Sequence, residues 1–107
     1  MFWTSTVQKY TGECPFDITY KSNSIFSPTK KLVHNFKFGQ LSENEYTEQY
    51  YALMRMSYTN YRKQWEYILD SKNMFVFLCY CHPDNFCHRF LLKDILVKLG
   101  KEYMGEI

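Results

Sequence analysis

The run Met74-Phe75-Val76-Phe77-Leu78, ending in Cys79 and Tyr80, constrains this chain more than any other stretch. Unbroken apolarity with aromatic and β-branched members predicts a strand buried on both faces. A short polar break follows, His82-Pro83-Asp84-Asn85. Leu91, Leu92, Ile95, Leu96 and Leu99 then recur at helical spacing, and Gly100 stands where a helix C-cap belongs. The local order is strand, tight loop, helix. Asp84 or Asn85 is the expected N-cap, which places Cys87, His88 and Arg89 in the first turn. The unpaired N–H groups and the positive dipole end there favour an anion or a thiolate.

Around this unit the chain alternates strand and helix signals. Phe2–Val7 reads as a first strand and Phe16–Tyr20, alternating apolar and polar, as a second. Ser27-Pro28 reads as a helix start, with Leu32, Val33 and Phe36 on its apolar face and Gly39 at its end. Ser42-Glu43-Asn44-Glu45 is a capping box. Tyr46, Tyr50, Leu53, Met54 and Ser57 form one helical stripe, and Tyr61, Trp65, Ile68 and Leu69 another. Thr59-Asn60 between them predicts two helices or one kinked helix. Tyr103 to Ile107 reads as an edge strand. Together these predict an α/β fold: residues 1–107 as one small domain, with a mostly parallel sheet of three to four strands flanked by helices.

Of the 107 residues, 46% are hydrophobic and 20% aromatic, enough for a core without metal or disulfide staples. A net charge of +2, with no basic run longer than Lys30-Lys31, argues against nucleic acid as a partner. Glu43, Glu45 and Glu48 make the tyrosine-rich helical face acidic, which argues the same way. No window approaches the roughly 18 apolar residues of a membrane span. The start, MFWTSTVQKY, lacks the basic-then-apolar shape of a signal peptide. A cytoplasmic location is therefore expected, and four cysteines there are free, metal-bound or reactive rather than disulfide-bonded. Ten tyrosines and nine phenylalanines leave apolar surface that a homodimer would cover.

Ligands of open α/β sheets bind at the carboxyl ends of the strands, where Cys79, Cys81, Cys87, His88 and Arg89 all fall. On one reading a thiolate beside His and Arg serves as a nucleophile or redox centre. Cys79 and Cys87 are then the candidate sulfurs, His88 an acid or base, and Arg89 a clamp for phosphate or carboxylate. On another, Cys79 and Cys87 are small core residues, His88 caps the helix, and Arg89 pairs with a carboxylate such as Asp17. A third reading is a binding module in which Ser5, Thr19, Lys21 and Arg89 cradle a nucleotide or another anionic small molecule. No glycine-rich loop supports the dinucleotide or P-loop patterns, and no cofactor is expected. Cys79, Cys81, Cys87 and His88 are soft ligand types, but their spacing suits no shared tetrahedron, so no metal is expected.

The run FLCYCHPDNFCHRFLLKDILVKLG resembles the signature of the family catalogued as domain of unknown function 488, in its short phage-type form. FDITYKSNSIFSPTKKLVHNFKFGQLSENEYTEQY, Trp65 and the terminal EYMGEI resemble the same family, in the same order. The resemblance implies an intracellular α/β domain, in a host cytoplasm if phage-encoded, and supplies no established reaction. It singles out Cys79, Cys87, His88 and Arg89. Many members carry an acid where Cys81 stands, and a basic residue after the acid of the second strand; here Thr19 and Lys21 follow Asp17. The functions it leaves open are a cysteine-dependent enzyme acting on an anionic nucleotide or nucleic-acid-derived ligand, and a non-catalytic ligand-binding or host-interaction (anti-defence) protein of phage origin.

Overall fold

The computed structural model describes residues 2–6, 15–70, 75–79 and 87–106. The apolar run forms β3 (Phe75–Cys79), with every residue after Phe75 buried. It is paired on both sides: with β1 (Phe2–Thr6) through Thr6 opposite Cys79, and with β2 (Pro15–Asp17) through Asp17 opposite Leu78. The last strand, β4 (Tyr103–Glu106), adds to the free side of β1. All pairings are parallel and the order is β2-β3-β1-β4. Parallel pairing brings the carboxyl ends of β1, β2 and β3 to one edge of the sheet.

The second strand is shorter than Phe16–Tyr20 because the side chain of Asp17 intervenes. Its Oδ1 accepts the Thr19 N–H at 2.8 Å, and Tyr20–Ser22 turn into a 3₁₀ helix. Ile18 still continues the ladder, donating its N–H to the Leu78 carbonyl. The next helix, α1 (Lys30–Lys37), starts later than Ser27-Pro28 predicts. Thr29 is its N-cap, and Ser27 donates instead to the Thr19 carbonyl at 2.6 Å. Ser27 Oγ also accepts the Ser24 N–H at 3.0 Å, so this hydroxyl closes the preceding loop instead of capping the helix. Gly39, at φ +79°, follows the helix as expected.

The Ser42–Glu45 capping box opens α2 (Glu43–Asn60) with both reciprocal bonds formed. Tyr61 separates α2 from α3 (Arg62–Asp70), giving two helices. The long second helix touches α1, α3 and α4 (His88–Lys98). All four helices contribute to one core containing Phe2, Phe77 and Cys79 from the strands and Phe26, Tyr50, Trp65 and Leu92 from elsewhere. Strand alternation puts Val76 and Leu78 on the opposite face, and they are buried as well. Among the described residues no helix is long and apolar enough to cross a membrane.

Candidate functional site

The fourth helix begins later than the sequence suggests. Cys87 has extended backbone (φ −153°, ψ 147°) and is itself the N-cap, so only His88 and Arg89 of the three lie within the first turn. Asp84 and Asn85, the expected caps, fall outside the described residues, as do Cys81, Cys14 and His82. The Cys87 side chain makes no capping bond to the helix. Its sulfur lies 2.7 Å from Cys79 Sγ, at the end of β3. Neither cysteine is in a disulfide, and both are buried.

His88 and Arg89 complete the cluster, the first beside Cys87 and the second beside Cys79. His88 Nε2 lies 2.7 Å from the Ile18 carbonyl, which can only accept, so Nε2 carries the proton. In the neutral ring Nδ1 then has a lone pair, and it lies 3.7 Å from Cys87 Sγ. Burial holds the His88 pKa below its ordinary value, although negative charge on Cys79 and the Ile18 carbonyl act against this. Arg89 Nη1 donates to Cys79 Sγ at 3.0 Å. The opposite edge of the guanidinium meets Glu106 through Nη2 (3.1 Å) and Nε (3.4 Å), and its carbon lies 4.4 Å from the Phe90 ring centre. Burial alone would lower the Arg89 pKa; Cys79, Cys87 and Glu106 together raise it.

The pairing with Glu106 depends on an irregularity in the last strand. Phe2 stands opposite Tyr103 and Thr4 opposite Glu106, so two steps along β1 match three along β4. The intervening Gly105 has φ +117°, a conformation that glycine tolerates. Without the extra residue, Glu106 and Tyr103 would face opposite sides of the sheet. With it they share a face: Tyr103 bonds Thr4 Oγ1 at 2.7 Å and Glu106 reaches Arg89. Asp17, the carboxylate that sequence reasoning offered to Arg89, binds the Thr19 backbone instead. Glu106 was missed as a partner; the signal for it was a glycine within a strand pattern, which marks a bulge.

The remaining predicted site residues divide by exposure. Ser5 and Thr19 are buried, and Thr19 Oγ1 has no hydrogen-bond partner among the described residues. Asp17 and Lys21 are exposed at the end of β2 and in the turn after it. Arg89 is fully buried, and Cys79 and Cys87 are only 1% and 3% exposed. Among the described residues, two cavities lie elsewhere. One of about 1030 Å³ is lined by Phe16, Tyr20, Lys30, Met54, Tyr61 and others, and one of about 550 Å³ by residues including Tyr58, Trp65 and Leu99. None of Cys79, Cys87, His88 and Arg89 lines either.

Residues 3–100 match the family model described as the active DUF488-N3 subclade, DUF488-N3a. Neither a search of curated proteins nor one of solved structures gave a match. The matched span runs from Trp3 in β1 past the end of α4 and hence takes in every member of the sulfur, imidazole and guanidinium cluster, and on that match the chain belongs to the DUF488 family.

Proposed function

We propose that this protein is a cysteine-dependent enzyme acting on an anionic ligand, with nucleotides and nucleic-acid-derived molecules the class to test first. One observation carries the reading: Cys87 Sγ lies between a neutral imidazole nitrogen at 3.7 Å and a second sulfur at 2.7 Å that is itself held by Arg89. A nucleophile, a base and a group orienting the base are the recurring parts of thiol catalysis. Here Cys87 is the nucleophile, His88 its base, and the Ile18 carbonyl the group that fixes the tautomer. Arg89 supports negative charge on Cys79 rather than clamping the ligand, because its donors already meet Cys79 and Glu106. The ligand's anion falls to the N–H groups opening α4, to the buried Thr19 hydroxyl and to Ser5. Asp17 and Lys21 lie at the rim, exposed at the end of β2 and in the turn after it. The family's description as an active subclade favours the same reading.

The near-complete burial of both sulfurs and Arg89 favours a second reading, capture of an anionic ligand without turnover, as in a host-interaction protein of phage origin. Iodoacetamide labelling of the folded chain across pH separates a reactive thiol from a packed one. The enzyme reading expects a cysteine whose labelling rises below the ordinary thiol range near 8.5, and turnover that disappears in Cys87→Ser while the circular dichroism spectrum is retained. Labelling only in the ordinary range would remove the nucleophile. A thermal shift with nucleotides that survives Cys87→Ser would favour capture.

A further inference from the structure

We propose that Cys79 and Cys87 also form an oxidation site, a dithiol that a hydroperoxide converts reversibly to a disulfide. It uses the same sulfurs as the reading above but needs no substrate. The two sulfurs lie 2.7 Å apart, so a bond of about 2.05 Å requires roughly 0.7 Å of approach. Cys79 ends β3 and Cys87 opens α4, and the Arg89 contact to Cys79 ties that helix to that strand, while Glu106 of β4 holds the other edge of the guanidinium. The two sulfurs are thus close together before any oxidant arrives.

The groups around the sulfurs assign an order to the steps. The Arg89 guanidinium, 3.0 Å from Cys79 Sγ, favours negative charge on that sulfur, which makes Cys79 the first to react. Its thiolate attacks one oxygen of the hydroperoxide. An S–O bond forms, the O–O bond breaks, and water leaves after protonation, or an alcohol if the peroxide is organic. Cys79 is now a sulfenic acid. Cys87 passes its proton to His88 Nδ1 and attacks the Cys79 sulfur. The S–S bond forms, the S–O bond breaks, and the departing hydroxide takes the proton from His88 as water. In total two thiols are oxidised and one peroxide is reduced. A dithiol such as dithiothreitol reverses the change by exchange. While the disulfide stands, neither sulfur is a nucleophile, so oxidation also silences the proposed enzyme.

The test uses the reduced full chain and hydrogen peroxide. The expected product has lost the mass of two hydrogens and regains it with dithiothreitol. Chymotrypsin, cutting after Tyr80 and Phe86, separates Cys79, Cys81 and Cys87, and the expected link joins the peptides of Cys79 and Cys87. A link to Cys14 or Cys81, oxygen addition without a link, or no reaction would overturn the proposal. In Cys87→Ser the expected product is a dimedone adduct on Cys79, and its absence would overturn the order of steps. If no disulfide forms yet iodoacetamide still finds a reactive Cys87, the oxidation site fails and the enzyme reading stands. If neither reagent reacts, both fail.

Discussion

Arg89 donates to Cys79 Sγ from a fully buried position, 3.0 Å away, while the other edge of its guanidinium is held by Glu106 from the last strand. A charge withdrawn from water is stable only when countered. The Glu106 side chain is 23% exposed, so it meets that need without itself being buried. Glu106→Gln keeps the shape and removes the charge. It should destabilise the fold by roughly 1.5–3 kcal/mol, the range for a charge-assisted bond, as measured by urea unfolding at neutral pH. A change within error would mean that Cys79 alone satisfies Arg89.

The bulge at Gly105 aims Glu106, so the two residues should be energetically coupled. An added Cβ at Gly105 meets nothing within 4 Å, and the cost of Gly105→Ala is therefore conformational. At φ +117° it should be about 1 kcal/mol or more. Combining Gly105→Ala with Glu106→Gln should cost less than the two changes made separately, because each disturbs the same ion pair. Strict additivity would show that the bulge does not serve Arg89.

His88 should make stability depend on pH. Its ordinary pKa is 6.5, and in the folded chain burial lowers it. Between the two values the unfolded chain binds a proton that the folded chain does not, so stability rises with pH across that window. The contribution is complete above 6.5 and is lost as pH falls toward the folded value. His88→Gln retains an N–H for the Ile18 carbonyl but cannot titrate. Wild-type stability should fall more steeply than that of the variant below pH 6.5, by up to about 1.4 kcal/mol per pH unit. Identical profiles would place the imidazole in water.

Ser57 links α2, α3 and the loop before α1. Its hydroxyl donates to the Ile25 carbonyl at 2.6 Å and accepts from Trp65 Nε1 at 3.0 Å. Ser57→Ala leaves the buried indole N–H without its acceptor and should cost roughly 2–3 kcal/mol. Tyr50→Phe removes one donor to the Phe26 carbonyl and should cost about 1 kcal/mol. Unfolding followed by circular dichroism tests the ranking, and a larger loss for Tyr50→Phe would contradict it.

Local signals in the sequence correspond closely to local structure. The Ser42–Glu45 box forms as written because both of its bonds span three residues. The stripes through Tyr50, Met54, Trp65 and Ile68 are buried because helical period alone puts them on one face. The starts of α1 and α4 lie later than local signals predict, because a hydroxyl suited to a cap can be taken by another partner and the backbone can stay extended past the expected cap. Ser27 is engaged by the Thr19 carbonyl, and the extended backbone of Cys87 keeps the helix from starting sooner.

The chain order alone determined that a buried strand hands on to a helix, and hence that Cys79, Cys87, His88 and Arg89 lie near one sheet edge. Short-range periodicity is sufficient for that. Which atoms meet was decided by tertiary structure. Glu106 rather than Asp17 answers Arg89, and the Ile18 carbonyl selects the His88 tautomer. Those pairings join residues 17 and 70 positions apart, through strand register and a one-residue bulge, and neither is written in local spacing.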